Sequence, residues 1–111
     1  MAQIASRNLG IVQGVKAVTT GGTAEVISAT AILTKSVIIQ AKRAGGNNTG
    51  SVFIGDETLD AGVAEGIELK PGNTISFEAA DPKTGLDLNQ IYVDADTSED
   101  GVVFVYIPLR P

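Results

Sequence analysis

The chain contains no cysteine, no histidine and no tryptophan, and only two tyrosines and three phenylalanines. Without cysteine there is no disulfide framework and no thiolate metal site. Without histidine, the commonest general base and the commonest transition-metal ligand are both missing. A serine nucleophile therefore lacks its usual activating base, and an enzyme is not expected. Aromatic residues make up 5% of the chain, leaving little surface to stack on sugar rings, so a carboxylate pair working on glycosidic bonds is a poor reading of its acidic residues. No apolar run approaches the ~20 residues of a membrane span, and no membrane partner is expected. Basic residues are few and not interleaved with aromatics, which argues against nucleic acid. The start, Met1-Ala2-Gln3-Ile4-Ala5-Ser6-Arg7, lacks the charged and apolar regions of a secretory signal, so the sequence predicts a soluble protein made in a cytoplasm.

What is present suits one folded domain. A length of 111 residues allows a single core with a high surface-to-volume ratio, and 43% hydrophobic residues argue against disorder. A mean hydropathy of +0.18 is more apolar than solubility requires, which suggests that partner subunits cover part of the surface. The net charge of −5 is unevenly spread: residues 1–50 carry +4 and residues 51–111 carry −9. A solvated acidic surface accounts for this, and so does a basic N-terminal part docking on an acidic neighbour.

The clearest punctuation is Lys70-Pro71-Gly72-Asn73. Pro71 supplies the φ that the second position of a type II turn needs, and Gly72 the positive φ of the third. Ile67 and Leu69 before it alternate with Glu68; Ile75 and Phe77 after it alternate with Thr74 and Ser76. That pattern predicts a half-buried hairpin. Further strands are expected over 24–28, 37–41, 51–55, 89–94 and 102–107, with 29–34 as an irregular connection or short strand. The segment 37–41 is apolar on both faces and is placed centrally. The Gly/Asn-rich stretch 45–50 has no following Gly-Lys-Ser/Thr, so it reads as a hairpin loop rather than a phosphate cradle. Residues 1–22, broken by Gly10, Gly14 and Gly21-Gly22, read either as an extended arm or as an ordinary first strand, ahead of a single domain over 23–111. Short strands with turn signals about every ten residues and no helix predict an all-β fold, an antiparallel β-sandwich or jelly-roll-like barrel of about seven to eight strands.

Two features invite a functional reading. Asp94, Asp96 and Asp100 form the one acidic cluster, and Asp94 and Asp96 have the spacing of the first calcium-loop ligands. The pattern then breaks at Ser98, Glu99 and Val105, so an acidic hairpin turn is preferred over a weak Ca²⁺ site, and no cofactor is expected. The last strand is apolar on both faces, Val103, Val105 and Ile107 on one and Val102, Phe104 and Tyr106 on the other. It is either central between two layers or meets another subunit.

The succession Lys35–Ala41 (ending Ile-Gln-Ala), Asn48–Asp56, Gly66–Ile75 and Ile91–Asp96 (Ile-Tyr-Val-Asp-Ala-Asp) resembles small β-sandwich structural proteins of tailed bacteriophages, over about residues 23–107. The resemblance implies turn roles for Gly50, Gly55, Pro71 and Gly72. It implies a core of Val37, Ile39, Val52, Ile54, Ile67, Leu69, Ile75, Ile91 and Val93, and no catalytic residue. It implies a virion protein, foremost a capsid decoration (cement) protein on the outer shell. Its partners would be the major capsid protein and further copies of itself, as a trimer. A tail, neck or head-fibre component and a virion-surface carbohydrate-binding module are the alternatives. The expected interface residues are Ile4, Arg7, Leu9, Ile11 and Val15 of the N-terminal segment, with Val102, Phe104 and Tyr106 of the last strand.

Overall fold

A computed structural model of the chain describes residues 10–43, 48–60 and 66–109. These residues form nine strands and one turn of 3-10 helix: β1 (Val12–Ala17), β2 (Glu25–Val26), β3 (Leu33–Ala41), β4 (Val52–Gly55), β5 (Ile67–Leu69), β6 (Thr74–Glu78), β7 (Leu86–Asp87), the helix Leu88–Gln90, β8 (Tyr92–Ala95) and β9 (Gly101–Pro108). The front sheet runs β1-β9-β3-β6, with β7 also pairing β3, and the back sheet runs β2-β8-β4-β5. Every pairing is antiparallel. The fold is thus all-β, a small two-sheet sandwich. With the two-residue β7 set aside, the strand order is that of two interlocked Greek keys, the jelly-roll arrangement. Residues 12–17 take the form of a first strand, hydrogen-bonded along β9.

The Pro-Gly turn has the expected geometry. Gly72 sits at φ 89, and the Asn73 amide donates to the Lys70 carbonyl at 2.8 Å. Its role differs from the expected hairpin, because β5 pairs with β4 in the back sheet and β6 pairs with β3 in the front. The turn carries the chain across the sandwich. So do the connection from β3 to β4, of which residues 44–47 lie outside the described residues, and the acidic turn from β8 to β9. Only β4 and β5 are both consecutive and paired, and they are joined through the excursion 56–66. A tight turn reverses direction whether the next strand pairs beside the last or packs across the core. Turn residues alone do not distinguish the two outcomes.

The core lies between the sheets. Val37, Ile39 and Ala41 of β3 and Val102 and Phe104 of β9 meet Val52 and Ile54 of β4, Val93 and Ala95 of β8, and Leu69 of β5. Val18, Ile27, Leu88 and Ile91 close the ends. Of the core positions implied by the resemblance, Ile75 is partly buried against this cluster and Ile67 is 51% exposed. Ile67 still shares the inward face with Leu69, but at the end where the sheets splay.

One ion pair ties the sheets together at their edges. The Lys16 ammonium on β1 lies 2.8 Å from the Glu25 carboxylate on β2, and the Thr19 amide donates to the same carboxylate at 3.0 Å. Partial burial pushes the Glu25 carboxyl up, but the Lys16 contact and the Thr19 hydrogen bond outweigh it and hold the carboxyl below its ordinary value. A depressed folded value means the contribution is complete above the unfolded value of 4.5 and is lost as pH falls through the folded one. Glu25→Gln is therefore expected to cost about 1 kcal/mol at neutral pH. Urea melts of both proteins should show that gap closing in acid; a gap independent of pH would refute the assignment.

Candidate functional site

The two outer faces of the sandwich are treated differently. On the back sheet, Phe53 points outward but is only 4% exposed, because Leu59 folds over it together with Ala24 and Tyr92. Leu59 is placed by a tight turn in which the Asp56 carboxylate accepts from the Thr58 amide at 2.9 Å and its hydroxyl at 2.6 Å. Those two bonds, the hydroxyl foremost, hold the Asp56 carboxyl below its ordinary value. Asp94, also outward on this sheet, is covered by the Gly21-Gly22 turn, whose Gly22 amide donates to it at 3.0 Å.

The front sheet has no such cover among the described residues. Pairing register places Val15 beside Val103, which lies beside Gln40; Gln13 beside Val105, which lies beside Ile38; and Ile107 beside Ser36. Alternation adds Ile11 to the same outward face. Ile11 is 72% exposed, Val15 64%, Ile38 53% and Ile107 38%. The positions named carry no charge; Lys35 is exposed at the β3 bulge beside Ser36, and the next strand, β6, adds Thr74, Ser76 and Glu78 at the rim. The result is a contiguous apolar band of several hundred Å², on the order of the largest patch a monomeric protein exposes. Each large side chain fully covered there contributes roughly 1.5–3 kcal/mol to an association.

The expected interface residues divide three ways. Ile11 and Val15 lie on this band. Ile4, Arg7 and Leu9 lie outside the described residues. Val102, Phe104 and Tyr106 require a correction: Val102 is 0% exposed, Phe104 7%, and Tyr106 packs against the core. They occupy the inward face of β9: Val102 and Phe104 are buried within the domain and not available to a partner, and Tyr106 is partly buried against it. The opposite face of the strand, Val103, Val105 and Ile107, is the outward one. Ile38 was missed in the same way. A sequence signal for it existed, since both β3 and β9 are apolar on two faces although a two-layer fold buries only one.

The acidic cluster forms a turn, the reading preferred above, but it joins β8 and β9 of different sheets and so is not a hairpin. Asp94 accepts from the Gly22 and Ala95 amides, and Asp100 accepts from the Thr49 and Gly50 amides at 3.0 and 2.8 Å. Asp96 is exposed. Among the described residues no three potential metal ligands gather into a group. The two buried carboxylates bind backbone, pinning the loops that cross between sheets.

A cleft of about 500 Å³ opens between the sheets beside β5 and β6, lined by Ile54, Ile67, Phe77, Leu86 and Ile91, with Gln90 and Asp56 as its polar members. It explains the exposure of Ile67. Comparison of the sequence with protein-family models and with curated proteins finds no match.

Proposed function

We propose that this protein is a structural component of a bacteriophage virion, a decoration protein that docks on the outer capsid shell through the apolar front face. The observation that carries this reading is the apolar band of Ile11, Val15, Ile38, Val103, Val105 and Ile107, which none of the described residues covers, while Leu59 covers the back sheet. The motif resemblance supplies the virion context, and the jelly-roll order adds an analogy of fold alone. The mechanism is mass action: a protein that binds only the assembled shell stabilises it by its binding free energy. Many copies at junctions between major capsid subunits would each bury this face, with the acidic remainder kept in solvent.

The experiment is a copy-number measurement on purified virions, paired with the double variant Ile38→Lys/Ile107→Lys. Copies in the hundreds per particle, scaled to the most abundant capsid subunit, support shell decoration. A handful moves the protein to the tail or neck, and absence discards the virion reading. The double variant should keep its melting temperature, because both side chains are outward, and lose occupancy by about 100-fold or more if each buried ionic head costs about 1.5 kcal/mol or more. Undiminished occupancy would exclude the front face as the docking surface.

A further inference from the structure

We propose that β1 is a pairing edge, and that two copies of this chain join antiparallel along it about a two-fold axis centred on Gln13. This stands apart from the virion reading, since it concerns the free protein.

An exposed sheet edge is ordinarily guarded by proline, a bulge, a projecting lysine or extreme shortness. The back-sheet edges follow that rule, with β2 two residues long and β5 three. β1 does not. It has six residues in unbroken register with β9, contains no proline, and its one charge, Lys16, is drawn away to Glu25.

The direction of its free hydrogen-bonding groups can be read from the end of the strand. The Val18 amide donates to the Asp100 carbonyl at 2.8 Å, and the Val18 carbonyl accepts from the Glu99 amide at 2.7 Å. Val18 therefore faces β9, and strand alternation turns Lys16, Gly14 and Val12 the same way. The amides and carbonyls of Ile11, Gln13, Val15 and Ala17 point to the open edge, where no strand of the described residues lies.

An antiparallel copy of β1 centred on Gln13 pairs the edge groups of Ile11, Gln13 and Val15 and matches the side chains over residues 10–16; Ala17 falls opposite the partner's Leu9, outside the described residues. Ile11 falls opposite the partner's Val15 and Val15 opposite the partner's Ile11, so the two most exposed large apolar side chains cover each other. Gln13 meets the partner's Gln13, amide to amide. On the inward side Val12 meets the partner's Gly14, a large residue against an empty position. Lys16 falls opposite the partner's Gly10. Moving the centre by one residue to Gly14 instead sets Lys16 against Val12 and leaves Ile11 against Ala17. The self-complementary register selects a second copy as occupant, since no charged side chain in it falls opposite a like charge and it offsets the general repulsion of two chains of −5 each. The outward apolar bands then run on across the two-fold axis.

The test is sedimentation equilibrium of the full chain, with a mass of twice 11.4 kDa expected. Gln13→Pro removes the central edge amide, which an edge strand tolerates on its solvent side, and should give a monomer that melts within a few degrees of the parent. Gln13→Cys places the only two thiols of the pair on opposed residues with Cα atoms about 5.5 Å apart, inside the disulfide range. Mild oxidation should convert it to a covalent dimer, whereas Ile11→Cys, whose thiols would lie far apart, should stay uncross-linked. Three results would overturn the inference: a monomer at about 100 μM, roughly 100-fold above the dissociation constant of a dimer held by ~8 kcal/mol; a trimer, since a three-fold ring cannot pair β1 with itself; or a dimer that cross-links at position 11 and not at 13. Should Gln13→Pro fail to fold, the cysteine pair decides alone.

Discussion

Gly101→Ala is expected to destabilise the protein by about 3 kcal/mol or more, enough to lower the melting temperature by about 12 °C or prevent folding. Gly101 opens β9 at the point where β1 crosses closest to it. A Cβ built there would stand 2.0 Å from the Lys16 carbonyl oxygen and 2.7 Å from the Ala17 Cα. Both are backbone atoms of a paired strand, so no side-chain rotation relieves the contact. Relief requires β1 to lift away, which breaks its register with β9 and draws Lys16 from Glu25. Gly10→Ala is the control, because nothing lies within 4 Å of a Cβ at that position. Thermal unfolding of both variants checks the contrast, and equal melting temperatures would show that the two strands are not held so close.

Asn48 gives the second large effect. Its side chain is 1% exposed and serves Gly101 from both ends: Nδ2 donates to the Gly101 carbonyl at 3.0 Å, and the Gly101 amide donates to Oδ1 at 2.9 Å. The amide side chain acts as a substitute strand residue where β9 begins. Asn48→Ala removes both contacts; the Gly101 carbonyl keeps the Lys42 amide at 3.1 Å, but the buried Gly101 amide loses its partner, with an expected cost of about 1–3 kcal/mol. Asn48→Asp keeps the acceptor but turns a second oxygen onto the Gly101 carbonyl in a buried setting. At neutral pH it is expected to be at least as damaging as alanine. Burial and the facing carbonyl raise the folded value of the introduced carboxyl above its unfolded one, so its penalty is full above that folded value and shrinks as pH falls through it. Protonated, the acid is again a donor and an acceptor. Denaturant titrations over pH should show the Asp variant recovering relative to wild type in acid while the Ala variant does not. Parallel behaviour of the two would refute the two-ended bond.

These two positions show why part of the molecule is invisible in the sequence. Gly101 follows an acidic turn and is an unremarkable turn glycine by composition; its need for an absent side chain comes from Lys16 and Ala17, more than eighty residues earlier in the chain. Asn48 belongs to a Gly/Asn-rich stretch that reads as a loop, and its buried role depends on a strand it does not belong to. Asp94 and Asp100 carry the same lesson. Their spacing left a weak cation site as the lesser reading, and the amides that bind them include those of Gly22, Thr49 and Gly50, distant in sequence.

Local chemistry settled the rest. Period-two alternation, β-branched residues and the Pro71-Gly72 turn determined by themselves that the chain is all-β, where most strands lie, and which residues of β5 and β8 share a face; the inward Val52 and Ile54 of β4 came with the resemblance. The absence of histidine and cysteine by itself removed whole classes of chemistry from consideration. The tertiary structure alone decided three matters. Turns became crossings between sheets, because strand partners are chosen by burial across the whole molecule and a turn sets only direction. The inward face of β9 became Val102 and Phe104, because two equally apolar faces carry no preference until Gly101 and the β1 contact fix the strand's rotation. And the front face emerged as the candidate docking surface because Leu59 covers the back sheet and no described residue covers Ile38, a difference that exists only once both layers are in place.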